Sequence, residues 1–146
     1  MTAMLDPLAS YSFFVDITGV TVAQFKEVTG LGISVGIVEN RSNQMGGQPI
    51  LQKMPGAVKY DDIHLSRGKV ADPAFWTWMK SVQEGKIDQA RKDGSVILFD
   101  YAHGEVTRFN FFGGWPQRVE IGKLTAGADS VLLESVTIAI ERLEVK

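Results

Sequence analysis

Apolar side chains alternate with polar ones along several segments of the chain, and this alternation restricts the fold more than any other feature. The clearest run covers residues 11–18, and similar runs cover 33–39 and 136–140, whereas residues 96–101 form a mostly apolar predicted strand. Successive side chains of a β-strand point to opposite faces, so a period of two predicts strands with one buried face. The sequence therefore predicts a mostly antiparallel β protein.

Glycines and prolines suggest where these strands turn. Lys92-Asp93-Gly94 predicts a hairpin turn, and Gly113-Gly114-Trp115-Pro116 predicts a packed corner between two strands. Residues 58–67 form one uninterrupted predicted strand. Leu143 and Val145 fall on the opposite face from the apolar residues before them, which predicts a bulge or a change of neighbouring strands.

One segment has the period of a helix. Its apolar residues recur at i, i+3, i+4 and i+7, namely Phe75, Trp78, Met79 and Val82. Asp72 is the predicted N-cap, Pro73 the first helical residue and Gly85 the stop. These signals predict one α-helix over about 73–84 that flanks the sheet, with Trp76 on its exposed side.

Residues 41–57 are predicted to form a long polar loop. The stretch from Arg41 to Gly56 contains three glycines and two prolines. A structureless connection longer than about 12–15 residues is uncommon inside a compact domain and is usually functional or disordered. This segment is therefore a candidate functional element.

Length and composition fit one domain over residues 1–146, with 45% hydrophobic and 22% charged residues. A net charge of -2 predicts no general attraction to nucleic acid or anionic membranes. The chain has no cysteine, which excludes disulfides and thiol chemistry. The first 25 residues contain no Lys or Arg, so a signal peptide would lack its basic region. We expect the chain to be cytoplasmic while it is being assembled.

Asp61, Asp62 and His64 form the only candidate catalytic or metal cluster. On a strand, Asp62 and His64 would share a face and Asp61 would point away. A metal would need further ligands, and the only other histidine is His103 in a predicted turn. No GxxxxGK[ST], HExxH or GxSxG motif occurs. A solvated strand face is the favoured interpretation, so we expect no enzyme activity, metal or cofactor. A small ligand-binding or hydrolytic barrel that uses Asp62 and His64 is a remote alternative.

A β domain of this kind has open sheet edges, whose backbone hydrogen-bonding groups lack partners within the sheet. Unpaired N–H and C=O groups on an edge strand are either protected or paired with another chain. Copies that pair edge to edge in a ring would close a barrel whose inner wall is the polar sheet face. The charged strand near Asp62 is then part of a wall.

The chain resembles the tail-tube proteins of contractile phages and of related extracellular contractile injection systems. The resemblance spans nearly the whole sequence and is carried by the order of its motifs. These are Asp6-Pro7-Leu8, Phe25-Lys26-Glu27-Val28-Thr29-Gly30-Leu31, Met54-Pro55-Gly56 with Lys59-Tyr60 and Arg67-Gly68, Trp115-Pro116, and Ile140-Glu141-Arg142-Leu143-Glu144.

The resemblance implies an antiparallel β-sandwich or barrel-like tube-protein fold and a structural role. Six copies would form a ring, and the rings would stack into a hollow tube inside a sheath. The tube would meet a baseplate and a terminator, and would conduct DNA or protein cargo through a target envelope. The mature location would be a phage tail or a released or anchored injection particle, without stable membrane insertion by this chain.

The resemblance also implies two sets of contact residues. The inter-subunit and ring-stacking loop would use Asn43, Met45, Gly46, Gly47, Ile50, Met54, Pro55 and Gly56. The sheath-facing helix would use Asp72, Trp76, Lys80 and Gln83. The alternative within the same architecture is a tail cap, or an effector chaperone like the type VI secretion ring protein.

Overall fold

A computed structural model of the chain describes residues 12–43, 46–47, 49–69, 72–99, 104–127 and 132–146. Ten strands and two helices follow one another in these ranges. They are β1 (Ser12–Ile17), β2 (Thr21–Gln24), β3 (Glu27–Thr29), β4 (Ile33–Asn43), β5 (Pro49–Tyr60), β6 (Ile63–Gly68), α1 (Ala74–Gln83), α2 (Ile87–Ala90), β7 (Lys92–Phe99), β8 (Glu105–Ile121), β9 (Leu133–Ala139) and β10 (Arg142–Val145).

The long strand β8 belongs to two antiparallel layers. Its first half pairs with β7 on one edge and with β10 on the other, which gives a first layer in the order β2-β1-β7-β8-β10. Its second half pairs with β9, which gives a second layer in the order β8-β9-β6-β3. The predicted antiparallel, sandwich-like β fold is confirmed, and the sheet does not close on itself.

The core lies between these layers and is covered by α1. Strands β6 and β9 bury every second side chain, as the period of two in the sequence requires. Helix α1 adds its buried stripe on one side. The fully buried apolar side chains include Val15, Ile17, Ile63, Leu65, Phe75, Val96, Phe111, Val136 and Ile138.

The hairpin turn predicted at 92–94 is wrong, and the corner predicted at 113–116 is a bend inside one strand instead of a boundary between two strands. Residues 92–94 begin β7, where the register shifts between Lys92 and Gly94. Residues 113–116 lie inside β8, where Gly113 has a positive φ of 65°. A Cβ on Gly114 would approach the Phe111 ring to 2.9 Å, so glycine also leaves room for that ring.

Helix α1 matches the prediction over 73–84 except at its N-terminus. Pro73 takes the N-cap position, and no side chain caps the helix, so Asp72 is not the N-cap. The helix begins one residue later than predicted, which places Asp72 too far from the first amides. Gly85 ends the helix with a φ of +78°, as predicted. The prediction of a single helix is incomplete, because the short helix α2 follows.

The long loop predicted at 41–57 is wrong. Strands β4 and β5 pair in antiparallel register from Ile33↔Tyr60 to Asn43↔Pro49, with a register shift after Val35. We call this hairpin, residues 33–60, the arm. Both of its strands are edges, so the prolines that argued against a strand are tolerated there.

The change of face after residue 140 is confirmed as a change of neighbours. Strand β9 belongs to the second layer, whereas β10 pairs with residues 109–112 of β8 in the first layer. Leu143 is thereby buried opposite Phe111.

Candidate functional site

The arm is attached to the rest of the molecule through two short connections. Gly30 has a φ of +86°, and a Cβ at this position would collide with the carbonyl oxygen of Asp62. The Asp61 amide donates a hydrogen bond to the Gly32 carbonyl at 3.1 Å. The segment that enters the arm and the segment that returns to the β layers therefore lie side by side, and Gly30 is required where they cross. Within the described residues, β4 and β5 pair only with each other.

One face of the arm is apolar and exposed. Cross-strand pairing places Val35 opposite Val58 and Ile37 opposite Pro55, and Ile33 lies on the same face. The exposed fraction is 50% for Ile33, 48% for Val35 and 67% for Ile37. A contiguous group of exposed aliphatic side chains marks an interaction surface, whereas scattered ones do not.

The arm contains the predicted stacking residues but divides them between its two faces and its tip. Met54 lies opposite Val38, on the other face from Pro55. Gly46 and Gly47 occupy the tip with φ angles of +106° and +81°. Of the other members, Gly56 lies beside the register shift and Ile50 near the tip, Met45 lies outside the described residues, and the side chain of Asn43 is not described.

The predicted stacking residues do not include Ile33, Val35, Ile37 and Val58, which form the exposed apolar face of the arm. The alternation of apolar and polar residues predicts that this strand has one buried face. It does not show whether the same chain or another molecule covers that face.

Several strand edges have no partner strand in the part of the chain that the structure describes. Strand β2 pairs only with β1, β3 only with β6, and β10 only with β8. The second half of β8 pairs with β9 alone. The backbone groups of an edge strand without a partner can pair with another polypeptide.

The outer face of the second layer is polar. One row across the strands reads Glu27, Ser66, Ser135 and Glu120, and the next reads Thr29, His64, Thr137 and Arg118. His64 Nδ1 shares a hydrogen bond of 3.0 Å with Thr137 Oγ1. Arg118 Nη2 donates to Glu120 Oε2 at 2.7 Å. The face holds a depression of about 260 Å³ between hydroxyl, carboxylate and imidazole groups.

The acidic pair and the histidine do not form a cluster. The predicted strand over 58–67 is interrupted at Asp61 and Asp62, which form the connection between β5 and β6. His64 faces Thr137 instead of a carboxylate. His103 lies outside the described residues. Among the residues that the structure describes, no group of three His, Asp or Glu side chains could hold a metal ion.

The residues predicted to face the sheath are all exposed. Trp76 is 38% exposed, whereas Phe75 and Trp78 are buried. Asp72, Lys80 and Gln83 are exposed as well. At 100° per residue, positions 76, 80 and 83 share one side of α1, and Asp72 lies just before its first turn. In the described ranges, neither helix is long and apolar enough to cross a membrane.

This antiparallel β fold is shared with chains of contractile injection systems. The chain is similar to a chain in the extended sheath–tube complex of an extracellular contractile injection system, PVC. The identity is 22%, the TM-score is 0.80, and 96% of this chain and 91% of that chain are covered. The chain belongs to the T4-like virus tail tube protein gp19 family, whose model matches residues 9–144.

Two further solved structures have this fold. The tube-terminating cap of the anti-feeding prophage is similar, with 22% identity and a TM-score of 0.83 over 100% of this chain and 95% of that chain. Hcp1 from Flavobacterium johnsoniae is similar, with 15% identity and a TM-score of 0.57 over 92% and 94%. The comparison with curated proteins found no match. The predicted resemblance is confirmed.

Proposed function

We propose that this chain is the structural subunit of the inner tube of a contractile injection machine or phage tail. Six copies form a ring, and rings stack into a hollow tube inside a sheath. The arm carries this proposal. A two-stranded hairpin is marginally stable alone in water, and its aliphatic face is left half to two-thirds exposed. A neighbouring copy that covers this face would bury the aliphatic groups and hold the arm in place.

The open edges support closure by sister copies. Main-chain hydrogen bonds between edge strands of neighbouring subunits would satisfy the unpaired groups of β2, β3, β10 and the second half of β8. A ring of such pairings forms one continuous barrel. The polar face around His64 and Thr137 then lines the lumen, where hydroxyl and carboxylate groups stay hydrated while cargo passes.

The arm provides the contacts within and between rings. The apolar face with Ile33, Val35 and Ile37 packs on a sister copy. The distal half and the tip reach the adjacent ring. The proposed stacking residues remain Asn43, Met45, Gly46, Gly47, Ile50, Met54, Pro55 and Gly56.

Helix α1 provides the contact with the sheath. Trp76 offers an exposed ring between the charges of Asp72 and Lys80, and Gln83 extends the same side by one turn. Aromatic residues flanked by polar groups are frequent anchors in protein interfaces. A sheath protein, a baseplate and a terminator are the proposed partners, because similar chains occur in a sheath–tube complex, a baseplate and a terminator structure.

The chain has no catalytic role in this proposal. It assembles in the cytoplasm and becomes part of a phage tail or of a released or anchored injection particle. Contraction of the sheath drives the tube through a target envelope, and DNA or an effector protein travels in the lumen. The chain itself does not insert stably into a membrane.

A cap or an effector chaperone is the second candidate function. The similarity to a tube-terminating cap covers the whole chain at a TM-score of 0.83, and the fold is shared with Hcp1. A cap or chaperone would need the ring but not the stack.

Negative-stain electron microscopy of the purified chain separates these functions. Tubes of stacked rings with a central hole support the tube subunit. Single rings that never stack, even with sheath and baseplate present, favour the cap or chaperone. A chain that stays monomeric under all these conditions contradicts both. The matched control is a variant with Gly46 and Gly47 replaced by Val, which should form rings but stack poorly, since their φ angles of +106° and +81° suit glycine.

A further inference from the structure

Two charged side chains are buried in the core beneath helix α1. Arg67 on β6 is 5% exposed and Glu134 on β9 is 0% exposed. They are cross-strand partners, and Arg67 Nη2 donates to Glu134 Oε1 at 3.4 Å. Lys69 Nζ lies 3.1 Å from the other carboxylate oxygen of Glu134. Buried charges are uncommon unless they are paired, so this pair requires a physical explanation.

The guanidinium of Arg67 contacts three parts of the fold. Its Cζ lies 4.4 Å from the ring centroid of Phe75, the buried anchor of α1. It also lies 5.5 Å from the ring centroid of Phe25, which joins β2 to β3. The two ring centroids are 5.8 Å apart. Arg67 therefore connects the helix, the link between the two layers and the Glu134 carboxylate.

The geometry of the pair does not favour a role in stability. The guanidinium–carboxylate contact is long and single, whereas the strongest Arg–carboxylate pairs are short and bidentate. Arg67 Nε is buried and has no hydrogen-bond acceptor within the described residues. Apolar side chains of similar size often match or exceed the stability of such a pair. Apolar side chains do not fix the orientation of the packed elements as strictly, because an ion pair and a planar stack tolerate fewer orientations than an aliphatic contact.

We propose that Arg67, through Glu134, is a positioning residue that fixes the orientation of α1 on the β layers. Among the described contacts, α1 also has apolar packing through Phe75 and Trp78 and a hydrogen bond from Trp78 Nε1 to the Ala90 carbonyl of α2. A fixed helix presents Trp76 and Lys80 at a constant place on the outer surface. The consequence for sheath binding rests on the proposed function, whereas the claim about helix orientation does not.

A distance measurement on the isolated subunit tests the orientation. The chain has no cysteine, so Lys80→Cys on α1 and Gln117→Cys on β8 give two unique exposed spin-label sites. The positioning variant combines Arg67→Met with Glu134→Leu. We expect double electron–electron resonance to show a distance distribution at least twofold broader than that of the parent. The melting temperature should stay within a few degrees of the parent value or rise.

A matched control replaces the Arg and the Glu of a different, exposed ion pair. Arg91 and Glu141 form an exposed ion pair at 3.3 Å, and Arg91→Met with Glu141→Leu should leave the distribution narrow. A narrow distribution in the positioning variant overturns the proposal. A folded variant whose melting temperature drops by about 10 °C with an unchanged distribution also overturns it, because the pair would then serve stability.

A conservative variant keeps the test decisive if the double variant does not fold. Arg67→Lys retains the positive charge but has no planar group to stack on Phe75. We expect broadening that is smaller than in the double variant. An unchanged distribution in a folded Arg67→Lys protein refutes the part of the proposal that depends on stacking.

Sheath capture tests the functional consequence separately. Rings of the positioning variant should bind sheath protein roughly tenfold more weakly than parent rings, a loss of about 1.4 kcal/mol in binding free energy. Unchanged capture despite a broader distribution would refute this consequence alone. Parent rings that fail to bind sheath would instead count against the proposed function.

Discussion

Replacing three exposed residues of the arm, Ile33, Val35 and Ile37, with Thr should disrupt assembly without disrupting the subunit. Thr keeps the branch at Cβ and with it the preference for strands. About half of Ile33 and Val35 and two-thirds of Ile37 are exposed. Burial of a whole aliphatic side chain contributes about 1.5–3 kcal/mol, so the exposed parts correspond to about 1–2 kcal/mol each. Thr forfeits most of this, because the hydroxyl that it buries offsets the methyl that it keeps.

The three substitutions should therefore weaken assembly by roughly 3–5 kcal/mol per subunit contact. Since about 1.4 kcal/mol corresponds to a factor of ten, the concentration needed for assembly should rise roughly 10²–10⁴-fold. The free energy of unfolding of the monomer should change by less than about 0.5 kcal/mol per substitution, because the altered groups are exposed in the monomer.

Sedimentation over a concentration series measures the assembly, and urea unfolding measures the monomer. A matched pair of single variants controls for loss of surface aliphatics. Ile37→Thr, at 67% exposure, should raise the assembly concentration roughly tenfold, whereas Leu124→Thr, at 73% exposure outside the arm, should change it less than about twofold. A triple variant that assembles at the parent concentration would show that this face is not an interface.

Three other changes have distinct expected outcomes. Replacing both Gly46 and Gly47 with Val should shorten the tubes seen in electron micrographs. A left-handed backbone costs Val about 1–2 kcal/mol per residue, and because this strain is confined to the arm tip, the melting temperature should stay unchanged. Trp76→Ala should leave folding and ring formation intact but reduce sheath capture in a pull-down; undiminished capture would exclude this ring as the anchor. His64→Gln should leave stability and assembly nearly unchanged in thermal and sedimentation assays, since only one hydrogen bond of about 0.5–1.5 kcal/mol is affected. Loss of assembly in that last variant would mean that the polar face is a contact surface.

The body of the fold could be predicted because burial within one chain leaves a local pattern. Strands β6 and β9 bury alternate residues against the core, and the sequence alternates accordingly. Phe75 and Trp78 are buried on one side of α1 for the same reason, and Trp76 is exposed. In each case the partner surface belongs to the same chain.

The arm could not be predicted as a hairpin because, within the described residues, its strands pair only with each other. Both faces of a two-stranded ribbon meet solvent, so polar residues and prolines carry little penalty there. Gly46 and Gly47 looked like loop residues, yet they form the tight tip of two long strands. Strand β8 was missed for a different reason, because Gly113 and Gly114 bend one strand across two layers and the sequence pattern suggests two strands.

The exposed apolar face of the arm was not predicted from the sequence. Met54 and Pro55 follow from the resemblance to tail-tube proteins, but the structure places them on opposite faces of the arm. The apolar group with Val58 became apparent only from the cross-strand register. Side-chain parity cannot be extended through a register shift that the sequence does not reveal.

A reconstruction of the assembled particle by electron cryomicroscopy is the measurement that tests the central claim most directly. The central claim is that neighbouring copies of the chain pair with its open strand edges and cover the aliphatic face of its arm. We expect a ring of six times the 16.0 kDa chain, in which β2, β3 and β10 edges form main-chain hydrogen bonds with neighbouring copies and the arm packs on another subunit. A map in which these edges and the arm's aliphatic face remain in solvent would contradict the account.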